Sequence, residues 1–300
     1  MGFNELRKIL TNQIPRRKFG IAVARPDGRE IYQAIKSAEV FGIVPIFVGV
    51  DRVIEEECAR LGFSEYKVLA ASGEVEAARK AVELVSSGDA DLLMKGSLQT
   101  ATLMKAVLDD RVGIRGEGLL SHVALFEQPD GRFLGITDGG LNIQPDLEQK
   151  IDILHNALLL FRRLGIRKPR VALLSGVEVL NPAIPSTVDA ARIAALAVEG
   201  QFQEAIVEGP MAFDLAVSPE ASKKKRYGGR IKGDADILVT PEIVSGNILG
   251  KSLSLAAGFP SGGVVVGARS PIVLLSRSDT KEQKLNSICI ALMQIIGESG

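Results

Sequence analysis

The chain has no tryptophan, two cysteines, two histidines and only 5% aromatic residues in 300 positions. Each shortage excludes something. Cys58 and Cys289 stand far apart, form no CxxC pair and have no histidine near them in sequence. A disulfide framework and a structural zinc site are therefore not expected. His122 and His155 do not make an HExxH spacing, so no bound metal is expected either. No run approaches the ~20 apolar residues that a spanning helix requires. The stretch MGFNELRKILTNQIPRRK lacks the long apolar segment of a secretory signal. The expectation is a soluble cytoplasmic protein without a membrane partner. Charge of one sign is also missing: 36 basic residues balance 36 acidic ones. A nucleic-acid partner, which needs a basic excess, is not expected. Lys223-Lys224-Lys225-Arg226 is a local exception and reads as a solvated loop.

What is present is a large apolar fraction, 46%, with 24% charged residues, enough for one large core or two ordinary ones. Strand and helix patterns alternate along the chain. KFGIAVAR, VPIFVG, KVLAA and ADLLMKG read as strands, with GREIYQAIKSAEVFG, RVIEEECARLG and EVEAARKAVELVSSG as helices between them. Helical segments carry apolar residues at i, i+3 and i+4 spacing, as at Ile151, Leu154, Leu158 and Phe161. The strands are short continuous Val/Ile/Leu runs, the pattern of strands covered on both faces. The class is α/β, with parallel sheets and right-handed crossovers. One segment departs from it. LLSHVALFEQPDGRFLGITDGG reads as a hairpin around Pro129-Asp130-Gly131, and the polar loop after it makes a plausible domain junction.

Two phosphate-loop patterns fail on inspection. SGNILGKS, residues 245–252, lacks the first glycine of GxxxxGK[ST] and places Leu249 where the loop should wrap phosphate; an ordinary helix fits better. GIRGEG follows a helix rather than a strand, so it is no dinucleotide fingerprint. A more telling pattern is that strand after strand ends in a polar or glycine cluster: LLMKGSLQT, LGITDGGLN, LLSGVEVLNP, AIVEGPMAFD and LLSRSD. Open α/β sheets bind ligands outside the carboxyl ends of their strands. Together these clusters indicate a site for a polar, anionic small molecule. In SPIVLLSRSDTKEQKLN two readings stand side by side. Ser278 or Asp279 caps the following helix, or Ser276, Arg277 and the helix start hold a phosphate. His122 likewise reads either as a satisfied histidine or as a base.

These same stretches resemble the phosphate acetyltransferase/phosphate butyryltransferase family, its butyryltransferase branch above all. The match is carried by MKGSLQT, GLLSHVALFE, TDGGLNIQPDLEQK, VEVLNPAIPSTVDAA, AIVEGPMAFD, ADILVTPEIVSGNILGKSL and PIVLLSRSDTKEQKLNSI. The resemblance implies acyl-CoA + phosphate ⇌ acyl phosphate + CoA by direct transfer. Coenzyme A is then a substrate, with no bound cofactor. It implies two α/β/α sandwich domains with a cleft between them, as in isocitrate and isopropylmalate dehydrogenases, and a homodimer. The expected first domain is residues 1–142 plus 275–300, and the second is 143–274. The family's functional Ser-Arg pair falls on Ser276 and Arg277. An acid follows that serine by seven positions in the acetyltransferase branch; Gln283 stands there, and Glu282 is the nearest acid, making it the third catalytic candidate. Lys105 matches a phosphate-facing arginine of that branch. The matching stretches also carry Ser121, His122, Asp138, Asn142, Asn181, Gly209, Pro210 and Asn247 as candidates for substrate binding. The Lys223–Arg226 run could contact the phosphates of CoA's adenosine end. Two other readings remain: a non-catalytic CoA- or acyl-binding protein of the same fold, and a metal-dependent decarboxylating dehydrogenase. The latter needs clustered aspartates, whereas Asp138, Asp214 and Asp234 are scattered in the sequence.

Overall fold

The computed structural model describes residues 1–13, 17–274, 276 and 278–297. The chain opens with α1 (Phe3–Gln13), then β1 (Phe19–Ala24), α2 (Arg29–Ala38), β2 (Ile43–Gly49), α3 (Asp51–Leu61) and β3 (Lys67–Ala70). It continues through α4 (Glu74–Ser86), β4 (Leu92–Lys95) and α5 (Thr100–Val107). Strand β1 pairs in parallel with β2 on one side and β4 on the other, and β2 pairs in parallel with β3. Right-handed crossovers then place α2 and α3 on one face of the sheet. The return from β3 to β4 puts α4 on the opposite face. That is why Ile21, Ala22, Val23, Leu92, Leu93 and Met94 form unbroken apolar runs: every one is buried, whichever face it points to.

The middle of the chain builds a second sheet segment. β5 (Ser121–Glu127) and β6 (Phe133–Thr137) form the antiparallel hairpin, and Gly131 takes the left-handed conformation (φ +79°) in its turn. α6 (Leu147–Arg163), β7 (Arg170–Leu174), α7 (Pro185–Val198) and β8 (Ile206–Met211) follow. Short helices α8 (Phe213–Val217) and α9 (Pro219–Lys224) lead to β9 (Ile237–Val239) and α10 (Ile243–Lys251). The strand order is β5-β6-β9-β7-β8. Side chains alternate across it. Leu134, Ile136, Ala172, Leu174 and Leu238 share one core with Met211 and with Leu215 and Ala216 of α8. Gly135 points the other way, where an added Cβ would lie 2.8 Å from the Phe161 ring of α6. A side chain there would push α6 off the sheet.

The chain then returns to the first unit with β10 (Ser261–Val266), β11 (Ile272–Val273) and α11 (Lys281–Ile296). β11 runs parallel to β4 and antiparallel to β10, giving the order β3-β2-β1-β4-β11-β10. The two compact units are therefore Met1–Gly118 with Ser261–Gly300, and Leu119–Pro260. Both divisions differ from the expected 142/143 and 274/275. The hairpin belongs to the second unit because β6 pairs with β9, Gly135 opposite Ile237 and Thr137 opposite Val239. β10 belongs to the first because α11 holds it: Ser287 Oγ accepts from Gly263 N–H (2.9 Å), and Asn286 Nδ2 donates to Ser261 O (3.1 Å). The Lys223–Arg226 run also differs from the expected loop. It closes α9, with Lys224 paired to Glu220 (2.7 Å) and Lys225 to Glu178 (2.9 Å) and Asp214 (3.1 Å).

Strands β1 and β4 end together through backbone bonds. Gly96 N–H donates to Ala24 O (2.9 Å) and Ser97 N–H to Arg25 O (2.8 Å). A Cβ on Gly96 would sit 2.0 Å from Arg25 O and 2.4 Å from Ala24 O, backbone atoms that cannot swing aside. Gly96→Ala is expected to lower stability by about 3 kcal/mol, as severe overpacking does. Denaturant unfolding of the two proteins measures it.

Candidate active site

The decorated strand ends differ in what they hold. At the end of β6, Asp138 is 2% exposed, and its carboxylate organises the turn that follows. It accepts from Gly140 N–H (2.8 Å), Leu141 N–H (2.9 Å), His122 N–H (3.0 Å) and Asn142 Nδ2 (2.7 Å). A buried carboxylate needs this many donors to offset its lost hydration. Asn142 Nδ2 also donates to Leu120 O (2.9 Å), tying the turn to the start of β5. Gly140 is required because a Cβ there would meet the His122 ring at 2.9 Å. Gly139 and Gly246 let the turn and α10 touch backbone to backbone: a Cβ on Gly139 would lie 2.6 Å from the Gly246 carbonyl carbon. Asn247 Nδ2 donates to Gly139 O (3.1 Å) across this contact. The structure thus brings Ser121, His122, Asp138, Asn142 and Asn247 into one neighbourhood. Ser121 is fully buried, its Oγ accepting from Asn156 Nδ2 (3.0 Å).

Asn181, Gly209 and Pro210 lie elsewhere in the same unit. Asn181 shapes the loop before α7, its N–H donating to Thr187 Oγ1 (2.9 Å) and its Oδ1 accepting from Ala183 N–H (3.0 Å). Gly209 and Pro210 lie within β8, where a Cβ on Gly209 would meet Leu173 Cβ at 2.6 Å. The SGNILGKS segment is helical from Ser245, and it makes no phosphate loop. The N-terminus of α10 is filled by the chain itself, since the Glu242 carboxylate accepts from Val244 N–H (2.6 Å) and Ser245 N–H (2.9 Å). Burial pulls the Glu242 carboxyl up, but the bonds from Ser245 and Val244 and the field of Lys150 outweigh it and hold it below its ordinary value.

The Ser276 stretch lies at the carboxyl end of β11. Ser276 is exposed, and Arg277 lies outside the described residues. Ser276 N–H donates to Asp279 Oδ2 (2.7 Å), Asp279 N–H to Ser276 O (3.2 Å), and the Ser276 and Ser278 hydroxyls are 2.9 Å apart. This is a tight turn that leaves a serine hydroxyl at the surface. The helix cap is neither Ser278 nor Asp279. Thr280 caps α11 in a capping box, accepting from Gln283 N–H (3.2 Å) while Gln283 Oε1 accepts from Thr280 N–H (2.9 Å). Spacing carried that signal, since T-x-x-Q before an apolar run is the capping-box pattern. Gln283 Nε2 also donates to Ser261 Oγ (3.0 Å), so Gln283 is held both by the cap and by β10. The Glu282 carboxylate pairs with Arg7 of α1, which also reaches Asn286. Lys105 is exposed on α5 and lines an open groove together with Val75, Arg79, Ala101, Ala106 and Val112.

Two buried lysines at this edge escaped the sequence reading. Lys95 closes β4 at 4% exposure, its Nζ 3.3 Å from Gly96 O, and Lys284 is equally buried in α11. In sequence a lysine beside glycine or in a charged helix start reads as surface. Only register and packing reveal the burial. Among the described residues, no group of three or more His, Cys, Asp or Glu could hold a metal ion. No helix among them is long and apolar enough to cross a membrane.

With the geometry in place, comparison with known proteins decides the family. A family model described as phosphate acetyl/butaryl transferase matches residues 59–292. The chain belongs to that family. It is 38% identical over 296 residues to the phosphate butyryltransferase of Clostridium acetobutylicum, covering 97% of each chain. It is 40% identical over 275 residues to the phosphate acetyltransferase of Rhizobium meliloti, covering 90% of this chain and 87% of that one. The crystal structure of a branched-chain phosphotransacylase from Enterococcus faecalis V583 superposes with a TM-score of 0.81 at 37% identity, over 92% of this chain and 99% of that one.

Both thiols of this acyltransferase-family chain are free and buried. Burial pushes Cys58 and Cys289 each up to about 12. At pH 8 the thiolate fraction is then about one in ten thousand. A thiol-specific disulfide reagent is expected to label neither cysteine in the native protein and both after denaturation. The sign for stability follows. Unfolded thiols ionise near about 8.5 while the folded ones stay protonated to about 12, so stability falls as pH rises between those values. Urea unfolding at pH 8 and pH 10 measures it.

Proposed function

We propose that the chain transfers a short-chain acyl group between coenzyme A and inorganic phosphate. The observation that carries this reading is 38% identity over 97% of each chain with a phosphate butyryltransferase, in a chain where an exposed Ser276, followed in sequence by Arg277, comes shortly after β11. A phosphate oxygen attacks the thioester carbonyl, a tetrahedral oxyanion forms, and its collapse breaks the carbon–sulfur bond. The departing thiolate takes a proton to become free CoA. The Arg277 guanidinium suits the phosphate because its planar fork matches two oxygens at once. The Ser276 hydroxyl donates to charge developing on the carbonyl oxygen or the leaving sulfur. Alignment supplies the rest, and no acyl-enzyme is needed. Burial of both cysteines supports direct transfer.

The reading includes no bound metal or prosthetic group, a cytoplasmic location, and a homodimer. Butyryl is favoured over acetyl by the resemblance of the sequence stretches. Identity to the two curated relatives, 38% and 40%, does not choose. Acetyl and butyryl differ by two methylenes, each worth ~1–3 kcal/mol of discrimination, so acetyl- and butyryl-CoA are expected to differ in kcat/KM by roughly 10²- to 10⁴-fold.

The test is formation of acyl phosphate with release of CoA thiol, followed in both directions. Arg277→Gln is expected to lower turnover by ~10²–10³, the cost of losing one preorganised donor. Arg277→Lys recovers part of it, because a point charge keeps the attraction and loses the bidentate geometry. Ser276→Ala lowers kcat more than it raises KM for phosphate, since its bond strengthens in the transition state. A folded Arg277→Gln protein with unchanged turnover and phosphate affinity would sink the anion-site reading. Failure of the wild-type chain to make acyl phosphate would favour the non-catalytic binder.

A further inference from the structure

Lys284 stands where physical chemistry least favours a lysine. It is 4% exposed, and it is the fourth residue of α11. Burial strips an ammonium of its hydration, and the positive end of a helix dipole repels a cation in the first turns. Leu285 and Ile288 beside it show what the same packing accepts at no such cost. Burial accordingly pushes the Lys284 ammonium down from its ordinary value, against the fields of Asp279 and Glu30, which oppose the shift.

What the lysine gains is specific. Its Nζ donates to the Asp279 carbonyl. Asp279 is the residue whose carboxylate accepts from Ser276 N–H (2.7 Å) and whose N–H returns to Ser276 O (3.2 Å). The buried cation, the aspartate and the exposed serine therefore form one connected chain. Thr280 and Gln283 already cap the helix, so Lys284 is not needed to end it.

We propose that Lys284 is a positioning residue for acyl transfer, its buried ammonium fixing Asp279 and through it the orientation of the Ser276 turn. This rests on the reading of Ser276 as a reacting-site residue. Lys284 itself touches no substrate; removing it should misplace Ser276 rather than remove a donor.

The experiment is a double-mutant cycle on the full-length chain with Lys284→Met, Ser276→Ala and both together. It measures kcat, KM for phosphate and CoA, and thermal unfolding. Lys284→Met is expected to lower kcat by roughly 10- to 100-fold, the cost of a small misplacement, with KM for CoA nearly unchanged. Its midpoint of unfolding should not fall, because an apolar side chain of similar volume replaces a buried charge. In the Ser276→Ala background the same change should cost less than about 2-fold, since the residue it acts through is gone. Lys284→Arg, which keeps a donor, should recover part of kcat. Losses that multiply, or a folded Lys284→Met protein with wild-type kcat, overturn the proposal and leave the reading of Ser276 intact. Wild-type kcat in Ser276→Ala overturns both. Should Lys284→Met fail to fold, Lys284→Leu takes its place, an apolar side chain of the kind that its buried neighbour Leu285 already packs. In the same cycle, non-additive loss supports the proposal and multiplicative loss overturns it.

Discussion

The carboxyl edge of a parallel sheet imposes one constraint on everything above it. Strand carbonyls and helix N–H groups all emerge there, and each must find a partner. Among the described residues several are satisfied internally, while α2, α3, α4, α5, α7 and α8 begin without a side-chain cap. Gly96 and Ser97 N–H close the ends of β1 and β4. Glu242 fills the start of α10, Asp146 and Gln149 that of α6, and Thr280 and Gln283 that of α11. At α10 and α11 those caps take up some of the free N–H groups, while the field of the helix start remains. N–H groups alone are then a partial account of a phosphate site proposed at the Ser276 stretch. On the proposed reading, the Ser276 and Arg277 side chains supply the rest.

The same constraint explains the glycines of TDGG. Asp138 collects donors from four residues only because the turn folds tightly around it, and the turn is tight only because α10 and the His122 ring approach without a Cβ in the way. Sequence showed these glycines as a polar cluster at a strand end. It did not show that the aspartate's oxygens are consumed by the turn itself. A polar strand end is thus not one kind of object: the β6 end is a closed network, and the β11 end leaves a hydroxyl exposed.

That difference marks how far the sequence was legible. Continuous Val/Ile/Leu runs alternating with amphipathic helices identify α/β sheets because coverage on both faces leaves no polar face to alternate with. The hairpin is legible for the same local reason, a turn signal between two apolar runs. Domain boundaries are not local. Only the pairing of β6 with β9 and the packing of α11 on β10 fix them, and no window of sequence contains both partners. Gln283 shows a further limit. Resemblance marks its position as the acid's, the spacing T-x-x-Q marks it as a cap, and the fold follows the spacing.

The absence of an acid at Gln283 bears on how the thiol is handled. Protonating a departing thiolate is easy compared with generating one, because a thiol near pKa 8.5 is already ionised to about a few per cent at neutral pH. A dedicated base therefore matters more to the direction that consumes CoA than to the one that releases it. On the proposed reading, a chain that uses this position as a helix cap keeps Ser276 and gives up only what the nucleophile's own ionisation can partly replace. Alignment of phosphate and thioester then carries the larger share of the barrier reduction. That is consistent with a buried lysine held at a cost in burial and dipole energy to keep one turn in place.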